Sequence, residues 1–264
     1  MMPALAQTSP LRSVPAAYND RAYESSWAQV SRPEAGRSWP WPQACPACGP
    51  DGSDLLRWNA LSFTVRKVPA GAALYSKGEP LRFLHAVRTG TLKSCLSLPD
   101  GREQVTGFHM AGDVIGLDGV AGGCHRCTVI ALEDTHTCAI AYPLVLDAPT
   151  DASSVHTDLH RLLSLEITRG HWHMVLLAQL GAQERLAAFL LDLSQRSAAR
   201  GHSAREFNLS MTRRDLGSYL GMALETVSRT FSEFKALRHI EVDRRHIRIP
   251  DLPRFVSTFP AQLR

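Results

Sequence analysis

Four polar residues near the C-terminal end of the chain have the types and spacing needed to read DNA bases. They are Glu225, Thr226, Ser228 and Arg229, within the sequence ETVSR. An arginine can bind guanine through two hydrogen bonds, a glutamate can accept one from the cytosine amino group, and a serine can reach a phosphate or a base edge. An ordinary amphipathic helix with a solvated polar face has the same pattern, so the interpretation depends on the surrounding elements.

The residues from Met211 to Phe234 predict a helix, a tight turn and a second helix. Thr212 is a good N-cap, Asp215 lies three residues later, and Gly221 provides the permissive backbone that the turn needs. The second helix is expected to begin near Ala223. Its apolar residues recur at helical spacing and are expected to pack inward: Leu224, Val227, Phe231 and Phe234. The polar residues then face outward, as base-reading residues do in a helix-turn-helix.

A β-hairpin wing is predicted after this helix pair. Residues 240 to 249, IEVDRRHIRI, alternate about two central arginines as the strands of a hairpin do. Further candidates for DNA contact beside the reader are Thr212, Arg213, Arg214, Arg244, Arg245 and Arg248. Residues 201 to 264 hold 11 Lys and Arg against 7 Asp and Glu, so the whole net charge of +4 lies on this segment. That distribution favours a nucleic-acid partner.

The segment TRRDLGSYLGMALETVSR resembles the DNA-binding helices of the Crp/Fnr transcription regulators. The resemblance continues through ERLAAFLLDL, starting at Glu184, and TGFHMAGDVIG, starting at Thr106, and covers about residues 68 to 250. It is strongest to the FNR branch, in which the base-contacting trio would be Glu225, Ser228 and Arg229. It also implies an inverted-repeat site in double-stranded DNA and RNA polymerase as a partner.

Short strands separated by turns are predicted from Val68 to about Pro143. Frequent glycines and a Pro99-Asp100-Gly101 hairpin turn favour a β-barrel or β-roll. The predicted strands are Leu74–Tyr75, Phe83–Val87, Gly90–Cys95, Val105–Phe108, Cys127–Ala131 and Cys138–Ile140. The glycine spacing resembles the jelly-roll sensor domain of the same family, a fold like that of cyclic nucleotide-binding domains.

A helical pattern follows the strands, from about Val155 to Leu180. Its repeating positions step by four and three residues, as in a coiled-coil seam: Leu163, Ile167, Gly170, Met174 and Leu177. One face of a core helix would give the same spacing. The position between a β-domain and a DNA reader favours the seam of a homodimer, which would present two recognition helices to a palindromic site.

These patterns predict an α+β fold in four parts. They are a disordered arm over 1–40, a sensor β-roll with a cysteine-rich loop over 41–150, a dimerisation helix over 151–182, and a winged helix-turn-helix domain over 183–264. At 264 residues the chain can hold two cores. It has no run of about 18 apolar residues. The N-terminus has no charged start followed by an apolar run, so a cytoplasmic protein without a membrane partner is expected.

Six cysteines in such a chain are expected to be thiols, metal ligands or redox sensors. Cys45 and Cys48 form a C-x-x-C pair in a glycine- and proline-rich loop, which can place two thiolates on one metal or cluster. The FNR branch is similar in having such a loop and one distant cysteine, which Cys138 matches. The resemblance therefore implies a 4Fe-4S cluster. The third loop position holds Asp54 instead of cysteine, so the fourth ligand would be Asp54, Cys124 or Cys127.

Other readings of the cysteines remain open at this point. Cys124 and Cys127 form a second C-x-x-C pair, which could make a four-cysteine zinc site with the first if the fold joined them. The same regulator could also use a thiol switch or no ligand. Cyclic-nucleotide binding is not expected, because Leu117 occupies the position where the resemblance places a ribose-binding glutamate. A C-x-x-C thiol–disulfide enzyme is a distant alternative, because the surroundings lack a strand and helix of a βαβ unit.

The middle of the proposed seam departs from the family pattern. The resemblance implies an acidic residue there in oxygen-responsive members, where charge repulsion keeps the protein monomeric without its cofactor. This chain has Gly170-His171-Trp172-His173 instead. Its dimerisation is therefore expected to depend less on the cofactor.

Overall fold

The computed structural model describes residues 63–147 and 153–259. The predicted arm over 1–40 and the loop that carries Cys45, Cys48 and Asp54 lie outside these residues. The described part contains a β-roll of two sheets, a long helix, and a helical domain with a small three-stranded sheet. This is the predicted α+β architecture, with the β-rich part first and the helix-turn-helix last.

The β-roll consists of eight strands in two antiparallel four-stranded sheets. The strands are β1 (Phe63–Val68), β2 (Ala73–Tyr75), β3 (Phe83–Thr89), β4 (Thr91–Ser97), β5 (Glu103–Met110), β6 (Val114–Ile115), β7 (Thr128–Ala131) and β8 (Thr135–Ala141). One sheet has the order β1-β8-β3-β6 and the other β2-β7-β4-β5. Six of these strands were predicted; β1 and β6 were not. The β4–β5 hairpin turns at Gly101 as predicted, with φ of 83°.

Six α-helices, a short 3-10 helix (Leu117–Gly119) and three further strands complete the described chain. The helices are α1 (Tyr142–Leu146), α2 (Ser153–Gln179), α3 (Ala182–Ala199), α4 (Arg213–Leu220), α5 (Leu224–Ala236) and α6 (Leu252–Thr258). The strands β9 (Glu206–Asn208), β10 (Glu241–Asp243) and β11 (His246–Arg248) pair in the order β10-β11-β9. The 27 residues of α2 give a length of about 40 Å at about 1.5 Å per residue. None of the helices in the described ranges is long and apolar enough to span a bilayer.

Apolar side chains of the described residues form three core clusters. The first fills the roll between its sheets and includes Val87, Leu92 and Val129. The second lies between the outer face of β3 and β8 and the helices α1 and α2. The third contains Val105 and Phe108 of β5 together with the cores of α3, α4 and α5. Because this third cluster is shared, the β-roll and the helix-turn-helix are packed against one another.

Candidate DNA-reading surface and its link to the β-roll

The first helix of the helix-turn-helix begins and ends at the predicted residues. Thr212 is the N-cap of α4: its Oγ1 accepts from the Asp215 backbone N at 3.1 Å, and its own N donates to Asp215 Oδ2 at 2.9 Å. This reciprocal pair satisfies two N–H groups that the helix leaves unpaired. Gly221 ends the helix in the left-handed conformation with φ of 62°. A Cβ on Gly217 would lie 2.6 Å from the Met222 carbonyl oxygen, so the turn requires glycine there.

The recognition helix α5 presents the predicted base-reading residues to solvent. Glu225, Ser228 and Arg229 are exposed and Thr226 is half-buried. On the opposite face Val227, Phe231 and Phe234 are buried, as predicted. Leu224 was expected to pack inward, but it is 43% exposed. That expectation is wrong because Leu224 is the first residue of α5, and the buried stripe begins with Val227 in the next turn.

The wing forms at the predicted place and has one strand more than predicted. Strands β10 and β11 pair across a turn in which Arg244 has φ of 53°, and Arg244 and Arg245 are both exposed. Strand β9 adds to β11. Arg248 binds Glu241 at 2.9 Å and Glu206 at 3.2 Å, so it is paired within the wing while the turn arginines project from it.

The two arginines that open α4 differ in their surroundings. Arg214 is exposed. The guanidinium carbon of Arg213 lies 3.1 Å from the centre of the Phe231 ring, where a cation–π contact joins α4 to α5. Burial lowers the pKa of Arg213 to about 10. Its Nη1 is buried and has no hydrogen-bond partner among the described residues. Arg213 thus joins the two helices, whereas the side chain of Arg214 is exposed to solvent.

The helix-turn-helix is docked on the β4–β5 edge of the roll by polar contacts. Lys93 Nζ lies 2.6 Å from Oδ1 of Asp215, the residue whose other oxygen accepts from the backbone N of the N-cap Thr212. The backbone N of Val105 donates to Ser218 Oγ at 2.8 Å, and the Gln104 amide donates to the Ser218 carbonyl. Sequence reasoning missed these contacts because their partners lie more than 110 positions apart.

A buried ion cluster joins the roll to both long helices. Asp113, between β5 and β6, binds Arg196 of α3 through Oδ2 and Arg169 of α2 at 3.1 Å through Oδ1. Arg196 also donates to the Phe108 carbonyl at 3.2 Å. Burial alone would raise the pKa of Asp113, but the two arginine charges outweigh burial and hold it well below its usual range. In the sequence, Asp113 belongs to the GDVIG motif of the family resemblance, but nothing in the motif indicates that its carboxylate binds two arginines.

The described cysteines lie in different parts of the roll. Cys138 on β8 has no exposed surface and belongs to the cluster beneath α2, whereas Cys127 belongs to the cluster inside the roll. The Cys127 thiol donates to Asp118 Oδ2 at 3.2 Å, and burial raises its pKa to about 12. Cys124 is half-buried and Cys95 is buried. Within the described ranges, no three His, Cys, Asp or Glu residues are grouped to hold a metal.

The proposed seam leaves apolar side chains uncovered on one face of α2. Ile167 is 60% and Met174 is 62% exposed, and Gly170 between them is also exposed. Leu163 and Leu177, at the two ends, are half-buried against the neighbouring cores. Exposed apolar side chains at coiled-coil spacing are the surface that a second helix would cover.

A β-roll, a long connecting helix and a winged helix-turn-helix with an exposed polar recognition face define a DNA-binding transcription regulator. Comparisons with known proteins agree with this class. The model of the Crp-like helix-turn-helix domain matches residues 184–257, and that of the cyclic nucleotide-binding domain matches residues 65–148. The chain belongs to the Crp/Fnr family of transcription regulators.

Two relatives and one solved structure support this assignment over most of their lengths. Transcriptional regulatory protein btr of Bordetella pertussis is 40% identical over 209 residues, 79% of this chain and 86% of that protein. The fumarate and nitrate reduction regulatory protein of Vibrio cholerae is 40% identical over 197 residues, 75% and 79% of the two chains. The structure of FixK2 from Bradyrhizobium japonicum matches with a TM-score of 0.70 and 32% identity, over 76% and 99% of the two chains. The prediction of a regulator instead of an enzyme is confirmed.

Proposed function

We propose that this protein is a homodimeric regulator that reads an inverted-repeat DNA site and responds to oxygen or redox state through an iron–sulfur cluster. The observation that carries the DNA-reading part is the exposed polar face at the start of α5, with Glu225, Ser228 and Arg229 as the base-reading trio. Thr226, Thr212, Arg214 and the turn arginines of the wing would contact the backbone, with RNA polymerase as the protein partner.

The charge and exposure of Arg229 support its role as a base reader. Its side chain is 70% exposed on the same face as Glu225, four residues earlier, and projects from the first two turns of the helix. A guanidinium in that position can donate two parallel hydrogen bonds to guanine O6 and N7. The opposite face of α5 is fixed by the buried Val227 and Phe231, which sets the direction in which Arg229 points.

Replacing Arg229 by alanine is expected to weaken binding to the specific site by about 1 to 3 kcal/mol and to relax the preference at one base pair in each half-site. Fluorescence anisotropy with an operator selected from random DNA would measure both effects. Arg214→Ala is the matched control. It should weaken binding to all sequences about equally and lower the slope of log affinity against log salt by about one. A uniform loss for Arg229→Ala would make Arg229 a phosphate contact.

The position of Cys138 supports the cluster. Strand β1 pairs with β8 so that Val65 lies opposite Cys138 and Phe63 opposite Ile140. Directly opposite residues share a face of the sheet, and Phe63 and Val65 are both exposed there. Asp54 lies nine residues before Phe63, and nine residues of extended chain span about 30 Å. The loop with Cys45 and Cys48 can therefore reach an apolar face beside Cys138.

The described cysteines also bear on the fourth ligand. A thiol binds iron as the thiolate. Cys127 lies in the cluster inside the roll, apart from Cys138, and its thiol donates to Asp118 Oδ2, which supports Asp54 or Cys124 in its place. When bound, a 4Fe-4S cluster would supply redox-active iron that oxygen can oxidise. The Vibrio cholerae relative's name refers to fumarate and nitrate reduction, which agrees with a redox signal. A thiol switch, zinc or no ligand remains the second candidate.

Protein purified without oxygen is expected to contain iron and acid-labile sulfide in stoichiometric amounts, with a visible absorbance that air bleaches. Cys138→Ser should lose most of the iron. Cys95→Ser, which changes a buried thiol in a different core, should keep it. Asp54→Ala and Cys124→Ser would then identify the fourth ligand. A colourless, iron-free protein that still binds its operator would contradict the cluster and favour the second candidate.

A further inference from the structure

One carboxylate on the recognition helix contacts the proposed base-reading arginine. Glu233 lies one turn after Arg229, and its Oε1 is 3.8 Å from Arg229 Nε. Its other oxygen, Oε2, accepts a hydrogen bond of 3.0 Å from Nε2 of Gln183. Glu233 therefore binds Arg229 with one oxygen and a different helix with the other.

The hydrogen bond from Gln183 holds the carboxylate of Glu233 in place. Gln183 lies in the first turn of α3, two residues after the N-cap Gly181. The helix α3 is anchored by buried side chains such as Leu186 and Leu190. An exposed ion pair between residues four apart contributes little by itself, since both side chains must be ordered to form it. Here one partner is already held by α3, so the ordering cost falls mainly on Arg229.

Orienting Arg229 matters because a free arginine side chain loses rotamer entropy when it binds. Arginine is among the side chains that lose the most rotamer freedom when they are ordered. An anchored carboxylate beside Nε restricts the guanidinium before DNA is bound, while the two Nη groups remain able to donate to a base. The carboxylate also places a negative charge beside the DNA path, which opposes contacts that involve phosphates alone.

We propose that Glu233, held by Gln183, is a specificity-determining residue that orients Arg229 toward its base pair and disfavours binding to non-specific DNA. This inference rests on the proposed base-reading role of Arg229. Glu233 itself touches no base; it acts through the position of Arg229 and through its own charge. Its two effects are separable, because Gln183 supports the orientation and carries no charge.

The test measures discrimination, the ratio of the affinities for the selected operator and for the operator with the Arg229 base pair replaced. In full-length protein, Glu233→Gln is expected to lower this ratio about two- to fivefold, the range of a single exposed ion pair. It should also raise affinity for non-specific DNA by a similar factor and steepen the salt dependence. Gln183→Ala should lower the ratio as well, without changing the salt dependence.

Two comparisons separate the possible results. Glu206→Gln, which breaks the wing ion pair with Arg248, should leave the ratio unchanged. In an Arg229→Ala background, Glu233→Gln should have no further effect on the ratio. The inference would be overturned if Glu233→Gln still changed the ratio in the Arg229→Ala background. It would also be overturned if Glu233→Gln and Gln183→Ala both left the ratio and the thermal unfolding midpoint unchanged. If Arg229→Ala itself relaxes no base pair, the proposed function fails instead.

Discussion

Replacing Asp113 by alanine is expected to lower the free energy of unfolding by about 3 to 5 kcal/mol. The change removes the nearer carboxylate of the buried Arg196 guanidinium and leaves it with Asp192, whose Oδ2 lies 3.6 Å from Nη1. Removing one partner of a buried pair costs far more than the pair contributes, because the remaining charge cannot regain its hydration. Arg169 loses the same carboxylate, and so the contact between α2 and the roll is weakened too.

Urea denaturation of the variant and of wild-type protein would measure this loss. Asp100→Ala is the matched control, because Asp100 also binds an arginine, Arg102 at 2.7 Å, but on the exposed tip of the β4–β5 hairpin. Exposed pairs contribute little, so that variant should unfold near the wild-type midpoint. Equal losses in the two variants would mean that burial of the cluster contributes nothing.

The same cluster predicts how stability depends on pH. The pKa of Asp113 is held below its usual range in the folded protein. Its stabilising contribution is therefore fully present above the unfolded pKa of about 3.9 and is lost as pH falls below it. His109, buried beside the cluster, has a pKa lowered by burial. It should destabilise the folded state from about pH 6.5 downward. The Asp113→Ala variant should no longer lose this contribution below about pH 3.9, but His109 should still destabilise it below about pH 6.5.

The helix-turn-helix could be predicted from the sequence because its signals are local. The cap pair of Thr212 and Asp215, the glycine at 221 and the apolar spacing of α5 all act within four residues. Strand β1 was missed because apolar and polar residues alternate only from Phe63 to Arg66, and five of its six residues are exposed. Strand β6 was missed because two residues carry no period. The cluster of Asp113 and Arg196 joins residues 83 positions apart, and no local pattern encodes such a contact.

The sequence identified the residues of the candidate site but not the contacts that they make. Arg213 and Arg214 are alike in sequence, but only the structure separates the arginine stacked on Phe231 from the exposed one. Glu233 is one more polar residue at helical spacing until Gln183 is found beside it. The proposed link between Cys45, Cys48 and Cys138 came from family resemblance alone. The structure adds the register of β1 against β8, in which Val65 lies opposite Cys138.

Replacing Met174 by glutamate is expected to convert a dimer into a monomer and to weaken operator binding by on the order of a hundredfold. Met174 is 62% exposed near the middle of the α2 seam, and a two-fold axis would bring the two copies of the new carboxylate close together. Like charges in an apolar seam repel and must also be dehydrated. The second half-site then no longer adds to the affinity, since each monomer binds alone.

Light scattering and operator titration of the same samples would separate the two effects. Thr168→Glu is the control: Thr168 is exposed on the same helix one position after Ile167, off the seam, and the variant should remain dimeric. Wild-type protein should be dimeric with or without iron, because Gly170-His171-Trp172-His173 carries no carboxylate to drive the copies apart. If the protein became monomeric on loss of iron, charge repulsion outside these four residues would have to separate the two copies. A Met174→Glu protein that stays dimeric would move the interface away from this face of α2.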